Sequence, residues 1–415
     1  MAVVSAAGSF RDLKDLLSES ACDNGASACE EAPIAYKVRE RAHVLCSNFL
    51  GGSWKRTLVH EMRMTKVKGG MSNLLFLCRL PECTQPMAAE PQEVLLRVYF
   101  NPETESHLVS ESVIFTLLSE RRLGPKLYGI FNGGRLEEFI PSRPLSCAEI
   151  RQQALSIKIA QRLARIHQLD VPISKEPDYI CEAASRWLRQ LRSIAVNSGK
   201  CNGTIRYSSV PDVPPLDVLA SEIQIVRDCM SRSGSPVLFC HNDLQEGNIL
   251  LSNSNSIRNL SLTDDSLLKP PGAQQQLVVI DFEYASYNYR AFDFANHFCE
   301  WTIDYGLEQY PHFAHVPDVF PISDQQRAFF RSYLAAWGEH EPDERQLRAM
   351  ARETAAFVPV SHLFWGVWAL LQVEMSPVGF GFAEYGKKRL DLYYDTKHQL
   401  TSLLSDGPMT FTATK

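Results

Sequence analysis

The chain lacks an excess of basic charge: over 415 residues, 42 Lys and Arg stand against 48 Asp and Glu, for a formal net charge of −6. A nucleic-acid binder needs a basic stripe and an anionic-lipid binder a polybasic patch, so neither is an expected partner. Cys-x-x-Cys pairs are missing although there are 11 cysteines, and Cys240 and Cys299 lie inside apolar segments. That pattern reads as reduced, buried thiols in the cytoplasm, not as a disulfide framework. Residues 1–10 have neither a basic start nor a long apolar core, so an export signal is not expected. Long apolar runs are scarce as well. The most apolar, 357–373, contains Ser361, His362 and Gln372 and is short for a bilayer, which favours a buried helix over membrane insertion. There is no internal repeat, no Gly-x-Gly-x-x-Gly and no full Walker phosphate loop. Residues 381–388 approach the latter, but Lys388 stands where Ser or Thr must meet magnesium, and no apolar strand leads in.

What is present concentrates in residues 236–282, where apolar runs bounded by breakers read as buried strands. One run leads into His241-Asn-Asp243-Leu-Gln245-Glu-Gly-Asn248, and a later one ends at Asp281. The His-x-Asp-x-x-x-x-Asn spacing is that of a kinase catalytic loop, whose Asp accepts the hydroxyl proton and whose Asn holds magnesium. Mg²⁺ takes hard oxygen ligands, usually one or two carboxylates with water and phosphate oxygens. Asn248 and Asp281 are therefore the candidate metal ligands, and Asp243, Asn248 and Asp281 the candidate catalytic set.

The run HNDLQEGNILL, followed by VVIDFEYASYNYRAFDFANHFCEW, resembles the choline/ethanolamine kinase family, and its Cys299-Glu300-Trp301 ending resembles the choline kinase branch. Likeness extends through GGMSNLLF, VLLRVY, ESVIF, LGPKLYG, GRLEEFIPSR and HLFWGVWALLQ, from about Ala35 to about Leu400. The resemblance implies an α+β, bilobal, protein-kinase-like fold. A mobile tail over 1–33 would precede a small antiparallel-sheet, ATP-binding lobe over 34–144. A larger, mostly helical lobe over 145–415 would carry catalysis and choline binding. It further implies ATP and Mg²⁺, choline as acceptor with ethanolamine as the alternative, phosphocholine and ADP as products on the way to phosphatidylcholine, and a homodimer. An antibiotic phosphotransferase would share the catalytic skeleton, but the Trp-rich segment argues against it. A protein kinase is disfavoured by missing Asp-Phe-Gly and Ala-Pro-Glu elements. A catalytically silent partner is opposed by the intact acidic set.

Along the chain, an amphipathic helix from Ala35 should end at Gly51-Gly52, with strands over 61–67, 74–80 and 94–99. Gly69, Gly70, Met71, Ser72 and Asn73 lie between the first two strands. Adjacent glycines let backbone approach a ligand, and Ser72 and Asn73 can donate to phosphate oxygens; read alone, though, the stretch is an ordinary hairpin turn. The resemblance makes it the phosphate-covering loop. It also puts Arg97 where protein kinases carry a phosphate-holding lysine, with Glu111 of a helix over 105–121 as its partner. An exposed arginine and a solvated glutamate are the plainer account. A further hairpin, 127–131 and 135–140, turns through Asn132-Gly133-Gly134, after which Glu138, Phe139 and Ile140 resemble the adenine-binding hinge. The family often has Gln in place of Glu138. Gln245 joins these as a cofactor contact. Segments 197–215 and 252–276 read as loops, His167 as a helix-terminal residue without chemistry, and Asp293 as a support of the catalytic loop or a helix N-cap.

A quaternary ammonium has no N–H to offer, so recognition falls to aromatic faces and nearby negative charge. Trp365 and Trp368, three apart on an expected helix, share a face. On their own they are core packing. The resemblance makes them, with Tyr305, Phe380 and Tyr385, the choline pocket, with Glu300 and Asp304 as acidic complements.

Overall fold

The computed structural model describes residues 34–67, 73–87, 90–99, 105–121, 123–200, 210, 212–252, 276–338, 342–376 and 378–405. The described chain divides between Pro141 and Ser142 into two units. In the first, helix α1 (Tyr36–Leu50) buries Val38, Ala42 and Leu45, three to four residues apart, and stops where Gly51 takes φ 77°, a conformation that favours glycine. A short α2 (Gly52–Arg56) follows. Strands β1 (Arg63–Val67), β2 (Asn73–Arg79), β3 (Glu93–Tyr99), β4 (Leu127–Phe131) and β5 (Gly134–Glu138) form one antiparallel sheet in the order β1-β2-β3-β5-β4. Its apolar face, including Phe76, Val94, Leu96 and Leu136, packs with Val38, Leu45 and Trp54.

Helix α3 (Glu105–Glu120) connects β3 to β4. The β4–β5 turn uses Gly133 at φ 88°, and a Cβ on Gly134 would lie 2.1 Å from the Arg97 carbonyl. That close approach holds the register in which Arg97 faces Arg135 across the pair.

The second unit begins with β6 (Ser142–Pro144), which pairs with β8 (Ile249–Ser252) and for that reason joins this unit, not the sheet before it. Helices α4 (Cys147–Ile150), α5 (Gln153–His167), α6 (Tyr179–Lys200) and α7 (Leu216–Arg232) precede β7 (Val237–Cys240). After β8 come β9 (Gln276–Val279), β10 (Ser286–Tyr289), α8 (Arg290–Glu300), β11 (Ile303–Asp304), β12 (Ala314–His315), α9 (Ser323–Trp337), α10 (Glu344–Met375) and α11 (Phe382–Ser405). Three small antiparallel groups, β6-β8-β9, β7-β10 and β11-β12, sit among these helices.

Helix α10 is the axis of the unit. It is 32 residues long and buries every side chain from Ala356 to Gln372, Pro359 included. Its most apolar window has a mean hydropathy of 1.5 and is 94% buried inside the protein, as befits a core helix. The loop expected over 197–215 starts later, because α6 continues to Lys200 on the amphipathic pattern that buries Trp187, Leu188 and Leu191. Of the 252–276 loop, Ser252 closes β8 and Gln276 opens β9, and 253–275 lie outside the described residues. The expected tail 1–33 and the loop residues Gly69, Gly70, Met71 and Ser72 also lie outside them. Eight cysteines are described, all as free thiols. The near-Walker segment enters α11, where Lys387 pairs with Asp391 at 2.8 Å.

Candidate active site

The expected catalytic loop hangs from the buried end of β7. Asn242 holds φ 65°, a left-handed conformation that asparagine tolerates better than most residues. Its amide nitrogen donates to the Tyr284 carbonyl at 2.8 Å and Ser286 Oγ at 2.9 Å, and its Oδ1 accepts from Asn288 Nδ2 at 2.9 Å. Asp293 anchors the same turn. Its carboxylate accepts from the main-chain N–H of His241 at 2.7 Å, that of Asn242 at 2.6 Å, and His167 Nε2 at 3.0 Å.

Burial disfavours the Asp293 charge, but the hydrogen bond and charge of His167 outweigh it and hold the carboxyl below its usual range. Helix α8 starts at Arg290 with no side-chain cap, so Asp293 is a loop support and not an N-cap. His167, whose Nδ1 meets the Tyr333 hydroxyl at 2.8 Å, belongs to that support. Sequence reading assigned it no chemistry; its only signal was an imidazole ending an otherwise apolar helix face.

The loop then folds on itself. Asn248 Nδ2 donates to Asp243 Oδ2 at 2.8 Å and to the Asp243 carbonyl at 2.9 Å. Residue 280 locks the second acidic strand to this loop: the Ile280 N–H donates to the Asn248 carbonyl, and its carbonyl accepts from His241 Nε2, both at 2.9 Å. Asp281 follows at φ 64°, turned by this clamp away from the strand path. His241 is buried and its pKa lowered by that burial. A neutral ring suits its position, with Nε2–H donating to Ile280 and Nδ1 accepting from the Asp243 N–H at 3.2 Å.

Desolvation pushes the Asp243 carboxyl well above its ordinary range, and the neighbouring Glu300, Asp281 and Glu283 carboxyls push it further. Among the described residues Asn248 Oδ1 accepts no hydrogen bond, its amide nitrogen being committed to Asp243. A free amide oxygen beside mutually repelling carboxyls is a donor set that fits a hard divalent cation. Gln245 sits in the same turn, its N–H on the Asp243 carbonyl at 3.0 Å.

Around α8, α10 and α11 lies an aromatic cluster. Trp365 and Trp368 meet edge-to-face at 5.5 Å, and Trp368 continues to Phe382 at 5.6 Å and Phe382 to Phe380 at 4.9 Å. Phe380 lies 6.3 Å from Tyr305 and 5.8 Å from Tyr385. The five expected aromatics thus form one connected group. Phe382 joins its two halves, while Tyr284 at 5.2 Å from Trp365 and Phe313 at 5.4 Å from Tyr385 extend it. Trp365 Nε1 donates to Asn296 Oδ1 at 2.8 Å, which fixes the indole.

The charge balance differs from expectation. Glu300 is buried against Arg389, itself fully enclosed, and accepts from the Tyr305 hydroxyl at 2.8 Å; Arg389 Nε also donates to Tyr385 Oη at 3.0 Å. Glu300 is therefore a neutralised, oriented acceptor and not a free anionic complement. Asp304 Oδ1 is taken by the Gly306 N–H at 2.9 Å. Glu246, unnoticed in the sequence, is buried with Oε2 unpartnered, and burial, then Glu300 and Asp304, raise its pKa to about 8.

In the first unit the expected Arg97–Glu111 link runs through intermediaries. Arg97 meets Glu137 at 3.3 Å, Glu137 meets Arg135 at 2.6 Å, and Arg135 pairs with Glu111. Arg97 and Arg135 face each other across β3 and β5, and Glu137 lies two residues along the same face, so one buried carboxylate serves both guanidiniums. Burial opposes ionisation of Glu137, yet Arg135 and Arg97 hold its pKa below the usual range. Glu138 Oε2 accepts from the Lys126 N–H at 3.0 Å, Phe139 lies under the Arg79 guanidinium at 5.9 Å, and Ile140 is buried. Asn73 opens β2.

A family model described as Choline/ethanolamine kinase matches residues 64–394. The chain is 55% identical over 415 residues to choline kinase A2 of Caenorhabditis elegans, with 96% of this chain and 94% of that protein covered. It is 40% identical over 378 residues to the choline/ethanolamine kinase of Rattus norvegicus, covering 90% of each. The solved structure of Plasmodium vivax ethanolamine kinase shares the fold, with a TM-score of 0.68 at 21% identity over 95% of this chain and 98% of that one. With the match spanning the first-unit sheet, the acidic loop and the aromatic helices, the chain belongs to the choline/ethanolamine kinase family.

Proposed function

We propose that this chain is an ATP-dependent choline kinase, transferring the γ-phosphoryl group of ATP to the hydroxyl of choline to give phosphocholine and ADP, a step toward phosphatidylcholine. The reading is carried by one observation: Asp243 is held by Asn248, while Ile280 is clamped to both Asn248 and His241 immediately before Asp281. In the reaction the acceptor oxygen forms a bond to phosphorus as the bond to the ADP oxygen breaks. Asp243 orients the hydroxyl and takes its proton late, since the transition state is loose. Asn248 and Asp281 would hold Mg²⁺, which supplies positive charge for the phosphate oxygens and offsets the repulsion among the carboxyls. Gly69 to Asn73 and Arg97 are assigned to phosphate contacts, with Glu111 supporting Arg97 through Arg135 and Glu137. Glu138, Phe139 and Ile140 are assigned to adenine, and Gln245 to a contact beside Asp243.

The aromatic group of Tyr305, Trp365, Trp368, Phe380 and Tyr385 would hold the trimethylammonium, each contact contributing about 0.5 to 2 kcal/mol. Glu300 steadies Tyr305 within it. Ethanolamine is the alternative acceptor, favoured by the polar atoms already at this wall, the Tyr305 and Tyr385 hydroxyls 3.1 Å apart. A homodimer and a cytoplasmic location complete the proposal, and sedimentation with imaging of the tagged chain tests them. The deciding experiment measures ADP release with ATP and Mg²⁺ in the presence of choline, ethanolamine or no acceptor, on wild type, Asp243→Ala and Asp281→Ala. Choline-stimulated release that both substitutions abolish is expected. Wild-type turnover in either variant would overturn the mechanism.

A further inference from the structure

Apart from the catalytic loop and the aromatic group, the second unit contains a pocket of about 280 Å³ that shares no lining residue with either. This is close to the lower end of ligand pockets, about 300 Å³. Phe320, Val358 and Leu392 give it an apolar wall, and Cys299, His315 and His362 a polar one. Among the described residues no aspartate or glutamate lines it. The charges bearing on its two imidazoles are cationic: Lys388 and Arg389 act on His315, and Arg389 on His362. Burial is the larger cause and lowers both pKa values with them, so both rings stay neutral and present hydrogen-bonding edges, with cations and not carboxylates as the charges acting on them.

The elements that wall this pocket also build the aromatic group. Helix α10 carries His362 one turn before Trp365, α11 carries Leu392 two turns after Tyr385, and Cys299 adjoins Glu300. His362 is the direct link. Its Nδ1 lies 3.1 Å from Arg389 Nη1, and because a guanidinium only donates, Nδ1 is the acceptor and Nε2 carries the proton toward Cys299 Sγ at 3.7 Å. Arg389 in turn holds Glu300 and Tyr385. Anything that turns His362 must therefore disturb the group orienting Tyr305 and Tyr385.

We propose that this pocket is a regulatory site for a small amphipathic carboxylate, whose aliphatic chain packs on Phe320, Val358 and Leu392 while its anionic head takes the His362 N–H. Its occupancy weakens acceptor binding through Arg389 and Glu300. The binding claim stands on the pocket alone, whereas the regulatory claim rests on the choline-kinase reading.

The test uses the full chain with octanoate, octylammonium and octanol, binding being read by saturation-transfer NMR and choline affinity by calorimetry. Octanoate should bind wild type, and octylammonium should not. Ala355→Trp, at the exposed lip of the pocket, should abolish octanoate binding. Gln399→Glu, which adds a like charge to the lining without adding bulk, should weaken octanoate and spare octanol. Saturating octanoate should raise the choline dissociation constant about fivefold or more in wild type and leave it unchanged in Ala355→Trp. No octanoate binding, equal binding of octylammonium, or octanoate binding indifferent to both substitutions overturns the site. Site-specific binding with an unmoved choline constant overturns the regulation. If octanoate behaves as expected but choline does not bind the wild-type chain, it is the acceptor assignment that fails.

Discussion

Replacing Asp293 tests whether the catalytic loop is held by a single buried carboxylate. It accepts three hydrogen bonds, from the His241 and Asn242 main chain and from His167, at 2.6 to 3.0 Å. Hydrogen bonds to charged groups contribute roughly 1.5–3 kcal/mol each, so Asp293→Ala stands to lose about 4.5–9 kcal/mol. That approaches the whole stability of an ordinary domain, about 5–15 kcal/mol, and the alanine variant should express poorly. Asp293→Asn is the informative change. Its one oxygen can still serve a main-chain N–H, but its amide must face another donor, leaving one unsatisfied at about 1–3 kcal/mol. For a unit of this size each kcal/mol lowers Tm by about 2–4 °C, so a fall of roughly 2–12 °C is expected.

Because Asn242 sits at φ 65° and leads directly into Asp243, slack in the turn should misplace the reacting carboxylate. An ångström of misplacement can reduce rate about 100-fold. Thermal unfolding by circular dichroism and steady-state ADP release, with both substrates varied, measure the two effects. A fall in kcat with little change in either KM is the expected pattern. An Asp293→Asn enzyme with wild-type Tm and kcat would refute the idea that this carboxylate holds the loop.

Trp365→Phe should raise the choline KM several-fold while leaving the ATP KM nearly unchanged. It keeps most of the packing that Trp365→Ala would forfeit at about 3–5 kcal/mol, and equal movement of both KM values would make the indole purely structural. Glu246 has a folded pKa of about 8, above its unfolded value, so ionisation works against the fold. Its penalty is absent below the unfolded pKa, and stability should fall as pH rises from the ordinary carboxylate range through about 8. Glu246→Gln should flatten that part of a Tm-against-pH curve, and an unchanged slope would contradict the assignment. Glu137→Gln leaves the buried Arg97 and Arg135 without their shared counter-charge, and urea unfolding should register about 3–5 kcal/mol of destabilisation. A loss below about 1 kcal/mol would show that other groups hold the two guanidiniums.

The sequence by itself determined the elements whose causes are local. Apolar spacing marked α1, Gly51 its end, Asn132-Gly133-Gly134 the β4–β5 turn, and the unbroken apolar face of 357–373 a buried helix within α10. It also set Asp243 and Asn248 five residues apart, close enough along the chain for one turn to bring them together, as their hydrogen bond does. The tertiary structure decided the pairings. Glu111 finds Arg135 from 24 residues away, Glu300 finds Arg389 from 89, and His167 finds Tyr333 from 166. Side-chain periodicity says which face of an element is buried but not which charge lies opposite once two elements pack. Arg97 and Glu111 were therefore legible as partners only through the family resemblance, while the route between them through Glu137 and Arg135 was not, and Glu300 was legible as an acid while its neutralisation by Arg389 was not. A buried charge must find its partner wherever the fold brings one within a few ångströms, and that is settled by packing, not by order along the chain.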